Sequence, residues 1–214
     1  MLTILASALV LCAPKLPALG FIEEFDNVGG ATTNGQTAGA NLEAQGWFFQ
    51  NNSSPRGAID WFQAATGLVP PFSGTGYIGV NTGSVAGYGA VSNWMLTPEI
   101  QYGPPGAILD IAFWTRTTPG SLRPDRLEVR LSTNGASTNV GVLATDLGDF
   151  TILLDSINPS LLVGGYPTTW THYVYAYTST GGSGRLAFRY CYKGGGTNGT
   201  NGLRIGIDHL LIHP

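Results

Sequence analysis

The sequence predicts an all-β protein, folded as a two-sheet, jelly-roll-like β-sandwich. Segments of alternating apolar and polar residues recur along the chain, 31 glycines and 13 prolines divide them, and no segment has the apolar spacing of an amphipathic helix. In the clearest segment, 124–135, Leu127, Val129 and Leu131 alternate with charged residues before an Asn-Gly turn. Such a strand must cover its apolar face with a second layer, which here can only be another sheet.

The predicted strands follow one another at short spacing. The first, 21–26, alternates apolar and acidic residues and leads into a turn-rich stretch, 27–39. The continuous apolar run at 150–157 fits either a buried strand or a short helix that ends at Asn158-Pro159. Further strands are predicted at 47–50, 59–62, 77–81, 91–96, 108–115, 170–177, 185–192 and 203–212.

The strand at 124–135 is predicted to be half-buried. Its charged face, with Arg126, Glu128 and Arg130, is expected to be solvated, and its arginines to pair with acidic residues across neighbouring strands.

Length and composition narrow the class of protein. A chain of 214 residues fits one all-β domain, or at most two small ones. The 43% of hydrophobic residues argue against a disordered chain, and a net charge of −3 supplies no basic field for nucleic acid.

The N-terminus predicts export. An apolar run at 2–13, too short to span a bilayer, is followed by prolines and small residues up to Gly20, so we interpret 1–20 as a secretory leader and 21–214 as one domain. No transmembrane span is predicted, and an extracellular or cell-surface location is expected. If the leader is removed, Cys12 is removed with it, and Cys191 then has no disulfide partner in the same chain. If the segment is retained instead, it could pair as a strand with a neighbouring copy.

A series of short motifs resembles one bacterial family. They are Phe21–Asp26, Gly46-Trp47, Asn93–Pro98, 125–135, Trp170, Arg185–Tyr190 and Ile205–Asp208. In this order they resemble the choice-of-anchor J domains, which are similar to the cleaved adhesin domains of gingipain-type surface proteins. The resemblance covers essentially everything after residue 20. It implies a secreted jelly-roll-like sandwich, often displayed on bacterial surfaces, with no established catalytic centre.

Three carboxylates are predicted to form a calcium site. Glu24 and Asp26 lie near the start of the domain and Asp208 near its end. Because the first and last strands of a jelly roll are often neighbours, these side chains can converge, and carboxylate oxygens are the ligands that Ca²⁺ requires. The resemblance to adhesins, which often carry structural calcium, favours the same hypothesis. The alternative is that they are ordinary solvated carboxylates at strand ends.

Aromatic side chains beside predicted loops are candidates for sugar stacking. They are Trp47, Trp61, Tyr88 and Tyr102, whereas Trp94, Trp114 and Trp170 lie within strands and are predicted to be core residues. Nothing in the sequence selects a pair of carboxylates for glycoside hydrolysis, and no Gly-x-Ser-x-Gly elbow occurs.

These observations favour a secreted, non-catalytic adhesion or carbohydrate-binding module. Its expected partner is a polysaccharide or surface glycan. The competing hypothesis is a structural subunit that assembles with copies of itself into an extracellular fibre, by exchange of its N-terminal strand.

Overall fold

A computed structural model describes residues 20–29, 39–65 and 69–214, and the predicted leader lies outside this part except for Gly20. The described residues form two antiparallel sheets and one short helix, α1 at Ala40–Ala44, which the sequence patterns did not predict. The strands are β1 Phe21–Glu23, β2 Phe48–Asn51, β3 Ser54–Arg56, β4 Phe62–Ala65, β5 Gly76–Asn81, β6 Val85–Leu96, β7 Ile100–Gln101, β8 Ile108–Thr117, β9 Leu127–Ser132, β10 Ile152–Ile157, β11 Thr171–Thr178, β12 Ser183–Gly195 and β13 Arg204–His213.

The two sheets confirm the predicted fold class. One has the strand order β11-β8-β13-β5-β4 with β1 added beside β13, and is called here the six-stranded sheet. The other has the order β10-β9-β12-β6-β2, with β3 beside β6 and β7 beside β12, and is called the seven-stranded sheet. The ambiguous segment at 150–157 contains a strand, β10, and the first and last strands are neighbours as expected.

The core lies between the inner faces of the sheets. Phe113 of the six-stranded sheet meets Phe188 of the seven-stranded sheet edge to face, with ring centroids 4.9 Å apart. Inward residues of β5 and β13, such as Ile78 and Ile207, are fully buried beside them. In β8, alternate residues from Leu109 onward face this core, so the residues between them face outward.

The half-buried prediction for β9 is wrong, because both of its faces are buried. The long segment between β9 and β10, residues 133–151, lies over the outer face of the seven-stranded sheet. There, Val140 and Phe150 pack against Trp94 and Ala187 in a second apolar cluster. The charged face of β9 is therefore covered, and Glu128 and Arg130 are 4% and 7% exposed.

Three arginines surround the buried carboxylate of Glu128. Its Oε1 accepts a hydrogen bond from Arg126 at 2.6 Å, and its Oε2 accepts from Arg130 at 2.7 Å and from Arg189 at 3.1 Å. Arg189 also lies over the ring of Trp94 and donates to the carbonyl of Ala144 in the covering segment. Burial alone would raise the pKa of Glu128, but the hydrogen bond from Arg130 and the three positive charges lower it below its ordinary value of 4.5.

No helix in the described ranges combines the length and the apolar character that a bilayer crossing demands.

Glu128→Gln should lower the free energy of unfolding by about 3 kcal/mol at pH 7, because it leaves buried guanidinium groups without their anion. Because the folded-state pKa is lowered, the wild type has this stabilisation above pH 4.5 and loses it as the pH falls through the folded value. Urea unfolding across this pH range measures both effects. The control Arg56→Gln removes a pair whose arginine side chain is 65% exposed and should change stability by less than about 1 kcal/mol. Equal losses for the two variants would contradict a stabilising role of the cluster.

Candidate functional site

The outer face of the six-stranded sheet carries a stack of three rings, called here the outer aromatic row: Phe72, Trp114 and His172. Trp114 faces outward from β8, and His172 lies opposite it on β11. The Trp114 ring stacks on Phe72 with centroids 3.9 Å apart and on His172 at 4.8 Å, with interplanar angles of 15° and 16°. Phe72 is 40% exposed and His172 is also exposed, so the row lies at the surface.

A buried aspartate positions the loop that brings Phe72 onto this row. Asp208 lies opposite Trp114 on β13. Its Oδ2 accepts hydrogen bonds from the main-chain N–H groups of Phe72 at 2.7 Å and Ser73 at 3.1 Å. Asp26 binds the end of the same loop, accepting from the N–H of Gly76 at 3.0 Å and from that of Thr75. Two carboxylates therefore hold the part of this loop that leads into β5.

These carboxylates have different electrostatic environments. Burial raises the pKa of Asp208 to about 6, although the N–H donors of Ser73, Phe72 and His209 oppose this rise. The pKa of Asp26, which lies at the surface, is lowered, mainly by the N–H of Thr75. Glu24 completes the group, with its Oε2 2.9 Å from Nδ1 of His209.

A tryptophan and an arginine continue the outer face beside the aromatic row. Trp170 precedes β11, and its indole N–H donates to the carbonyl of Pro70 at 2.9 Å. It meets Tyr77 edge to face at 5.3 Å, and the guanidinium of Arg116 lies 5.9 Å from its ring centroid. The outer face thus combines flat apolar ring surfaces with a charged hydrogen-bond donor. Apolar surfaces with a few polar groups are typical of sites that bind small molecules or sugar units.

Three of the four predicted stacking residues are wrong, because the structure places them in the core. Trp47 is 4% exposed and packs against Phe25, and Trp61 is fully buried. Tyr102 is also fully buried, and its hydroxyl donates to the carbonyl of Ser132 at 2.7 Å. Only Tyr88, 64% exposed on β6, presents a ring to solvent.

The residues that form the outer aromatic row were missed. Trp94 is a core residue as predicted, but Trp114 and Trp170 are only partly buried and lie on the outer face. The alternation in β8 placed Trp114 with Asp110 and Ala112, on the face opposite Leu109, Ile111 and Phe113. Because Asp110 and Ala112 are less hydrophobic than the residues on the opposite face, the sequence already indicated that the Trp114 ring points outward. No local pattern indicated Phe72, because its position depends on a contact with the distant Asp208.

The three predicted calcium ligands lie near one another, around the loop before β5 and His209. Their oxygens accept hydrogen bonds there, from main-chain N–H groups for Asp26 and Asp208. Within 20–29, 39–65 and 69–214, no group of three or more His, Cys, Asp or Glu side chains is arranged to hold a metal ion. The hydrogen bonds account for the positions of these side chains without a metal, and calcium binding stays a prediction.

The fold is similar to that of adhesin domains of known structure. The K1 cleaved adhesin domain of Lys-gingipain from Porphyromonas gingivalis W83 aligns with a TM-score of 0.57 and 15% identity, over 90% of this chain and 96% of that domain. The K2 domain of Lys-gingipain aligns with a TM-score of 0.57 and 16% identity, over 91% of this chain and 98% of that domain. The K3 domain of Lys-gingipain from the same strain aligns with a TM-score of 0.54 and 16% identity, over 90% of this chain and 97% of that domain. At 15–16% sequence identity, this similarity applies to the fold alone.

No protein-family model and no curated protein sequence matches the chain. The name choice-of-anchor J therefore stays a prediction.

The calcium prediction can be tested by thermal unfolding in calcium and in a chelator. A site ligated by Glu24, Asp26 and Asp208 should raise the melting temperature in calcium, since a ligand that binds only the folded state stabilises it. Asp26→Asn should abolish that rise, whereas Asp149→Asn, a change of an aspartate in another loop, should retain it. Equal melting temperatures in both buffers would leave the hydrogen bonds as the whole explanation of this cluster.

Proposed function

We propose that the protein is a secreted, non-catalytic module that binds a polysaccharide or surface glycan on the outer face of its six-stranded sheet. The outer aromatic row is the observation that supports this function. A ring face can contact the C–H groups of a pyranose, while nearby donors such as Arg116 bind its hydroxyl groups. The adhesin-like fold is compatible with a binding role. Secretion rests on the leader-like sequence at 1–20.

The carboxylate chemistry of this face favours binding over hydrolysis. Glycoside hydrolysis requires two carboxyl groups that flank the scissile bond. Asp208 lies beside the aromatic row, but it is fully buried, and both of its oxygens accept main-chain hydrogen bonds. Its role on this face is to hold the loop that carries Phe72.

His172→Ala should weaken binding to a soluble polysaccharide by about threefold to tenfold, because one stacked ring contributes about 0.5–1.5 kcal/mol. Affinity electrophoresis through gels that contain single polysaccharides measures this loss. Tyr88→Ala is the matched control, since it removes an exposed ring from the other sheet. The melting temperature of both variants should remain close to that of the wild type. Equal retardation of His172→Ala and the wild type in every gel that retards the protein would contradict the proposed site.

A second candidate function is self-assembly, and the strand β11 favours it. β11 is the edge of the six-stranded sheet and pairs with β8 over eight residues without a bulge. It contains no proline, lysine, aspartate or glutamate, which commonly protect such edges. Its outward Val174 is 60% exposed, and its inward tyrosines are only half-buried. A second copy could add its own β11 to this edge in antiparallel orientation.

Light scattering after size-exclusion chromatography tests this candidate. The wild type should show a mass above that of one chain at high concentration. Val174→Lys should reduce it to a single chain, because a charge on the edge strand opposes pairing with a second copy. Val142→Lys, at a residue 80% exposed in the covering segment, should behave as the wild type. A single-chain mass for the wild type at all concentrations would exclude this assembly.

A further inference from the structure

A second row of side chains crosses the outer face of the six-stranded sheet beside the outer aromatic row. Its members are all aliphatic, and it is called here the aliphatic row. Each member is in register with the next one on the neighbouring strand, and directly opposite residues of a sheet point to the same side. In order across β1, β13, β8 and β11, the members are Ile22, Leu211, Ala112 and Val174.

The aliphatic row is open to solvent. Its two ends are the most exposed, with Ile22 at 58% and Val174 at 60%, whereas Leu211 and Ala112 are partly buried. The row extends over roughly 14 Å, because neighbouring strands lie about 4.8 Å apart. β11 is the edge of the sheet, so no further strand encloses the row at that end. A ligand can therefore lie along the row without entering a cavity.

The aliphatic row and the outer aromatic row are neighbours. On β8, Ala112 lies two residues before Trp114, and both face outward. On β11, Val174 lies two residues after His172. Two residues along a strand correspond to about 7 Å, so the two rows run side by side at this separation. Neither row contains an aspartate, glutamate, lysine or arginine. Together they form an uncharged surface of rings and aliphatic groups.

An uncharged surface of this width matches packed polysaccharide chains. A pyranose whose hydroxyl groups are equatorial projects them from its edges and has C–H groups on its two faces. In an insoluble polysaccharide, extended chains of such units lie side by side, so that their C–H faces form one continuous apolar surface. A single dissolved chain that lies on the aromatic row leaves the aliphatic row uncovered. A packed surface can cover both rows at once.

We propose that the two rows together bind the surface of an insoluble, neutral polysaccharide with chains packed side by side, an inference that rests on the proposed glycan-binding function and specifies the form of its ligand. The rings of the aromatic row contact one chain, and the aliphatic row contacts the next chain. Adsorption removes the exposed parts of Ile22 and Val174 from water, and this burial of apolar surface favours binding.

A second copy of the protein is the competing occupant of an exposed apolar row. A stable protein interface involves about 20–30 residues on each side, and the aliphatic row has four members, so the row alone is too small for one. The row is also continuous with the outer aromatic row, on which the proposed glycan binding depends. Both observations favour a polysaccharide surface over a second copy.

Adsorption to microcrystalline cellulose and microcrystalline chitin, each compared with its swollen amorphous form, tests this inference. The wild type should adsorb more strongly to at least one crystalline solid than to the swollen form of the same polymer. Ile22→Thr and Val174→Thr should each lower that adsorption about threefold to tenfold, because each replaces apolar groups by a hydroxyl. Both variants keep a β-branched side chain that suits a strand. The control Val142→Thr, at an exposed residue of the covering segment, should adsorb as the wild type does.

The same variants are compared in gels that contain hydroxyethylcellulose or glycol chitin, which are soluble derivatives of these polymers. Ile22→Thr and Val174→Thr should be retarded as the wild type is, because a dissolved chain needs only the aromatic row. His172→Ala should lose both adsorption to the solid and retardation in the gel. Melting temperatures confirm that all variants are folded.

The outcomes separate this inference from the function on which it rests. Adsorption that falls for Ile22→Thr and Val174→Thr but not for Val142→Thr supports it. Equal adsorption of Ile22→Thr and the wild type would overturn it, and so would equal adsorption of the wild type to crystalline and swollen forms. In either case, a gel retardation that depends on His172 keeps the glycan-binding function. A lower mass of Ile22→Thr in light scattering would assign the row to a contact between copies and overturn the inference. If no solid and no gel retains the protein, both proposals fail.

Discussion

The hydrogen bonds between Glu128 and three arginines determine how the two outer faces of this sandwich differ. Burying the charged face of β9 is favourable only because each charge has a partner of opposite sign. Arg130 and Arg189 also donate to carbonyls at Phe150 and Ala144, so the same cluster fastens the segment 133–151 over the seven-stranded sheet. One outer face is thereby covered with the chain's own residues. The outer face of the six-stranded sheet keeps rings and arginines at the surface.

The open face is ordered by a second buried charge, the carboxylate of Asp208. Among the residues that the structure describes, Asp208 has no cationic partner, and its negative charge is stabilised by main-chain N–H groups of the loop that carries Phe72. The bonds that satisfy a buried carboxylate therefore also set the position of a surface ring. Such an arrangement limits the movement of Phe72 before a ligand binds, which reduces the ordering cost of binding. The carboxylates that the sequence suggested as calcium ligands thus have a defined structural role without an ion.

The sequence predicts the strands well and their environments less well. Alternation in β8 and β9 identifies both strands, because period two is a local property of an extended chain. Whether the polar face of such a strand meets water depends on what lies above it. The outer face of β9 is covered by the segment 133–151, whose sequence has no periodicity from which this position could be predicted. The two tryptophans show the same limit of local patterns. Trp61 lies beside a predicted loop but is buried, whereas Trp114 lies within a predicted strand but is near the surface. The neighbouring positions of β1 and β13 were predictable only through the jelly-roll topology.

The candidate site combines residues that no single segment contains. Its rings come from β8, β11 and the loop before β5, and its arginine, Arg116, comes from β8. Register brings them together, since Gly206 pairs with both Gly79 and Arg116, and the two positions without side chains leave room for neighbouring rings. A glycine in a strand interior lowers stability and usually marks a bulge or a place where another group approaches closely. At Gly206 the approaching group is the ring of Tyr77. At Gly79 the approaching groups are the ring of Phe62 and the side chain of Ala64, so both glycines allow aromatic rings to lie close to the backbone of this face.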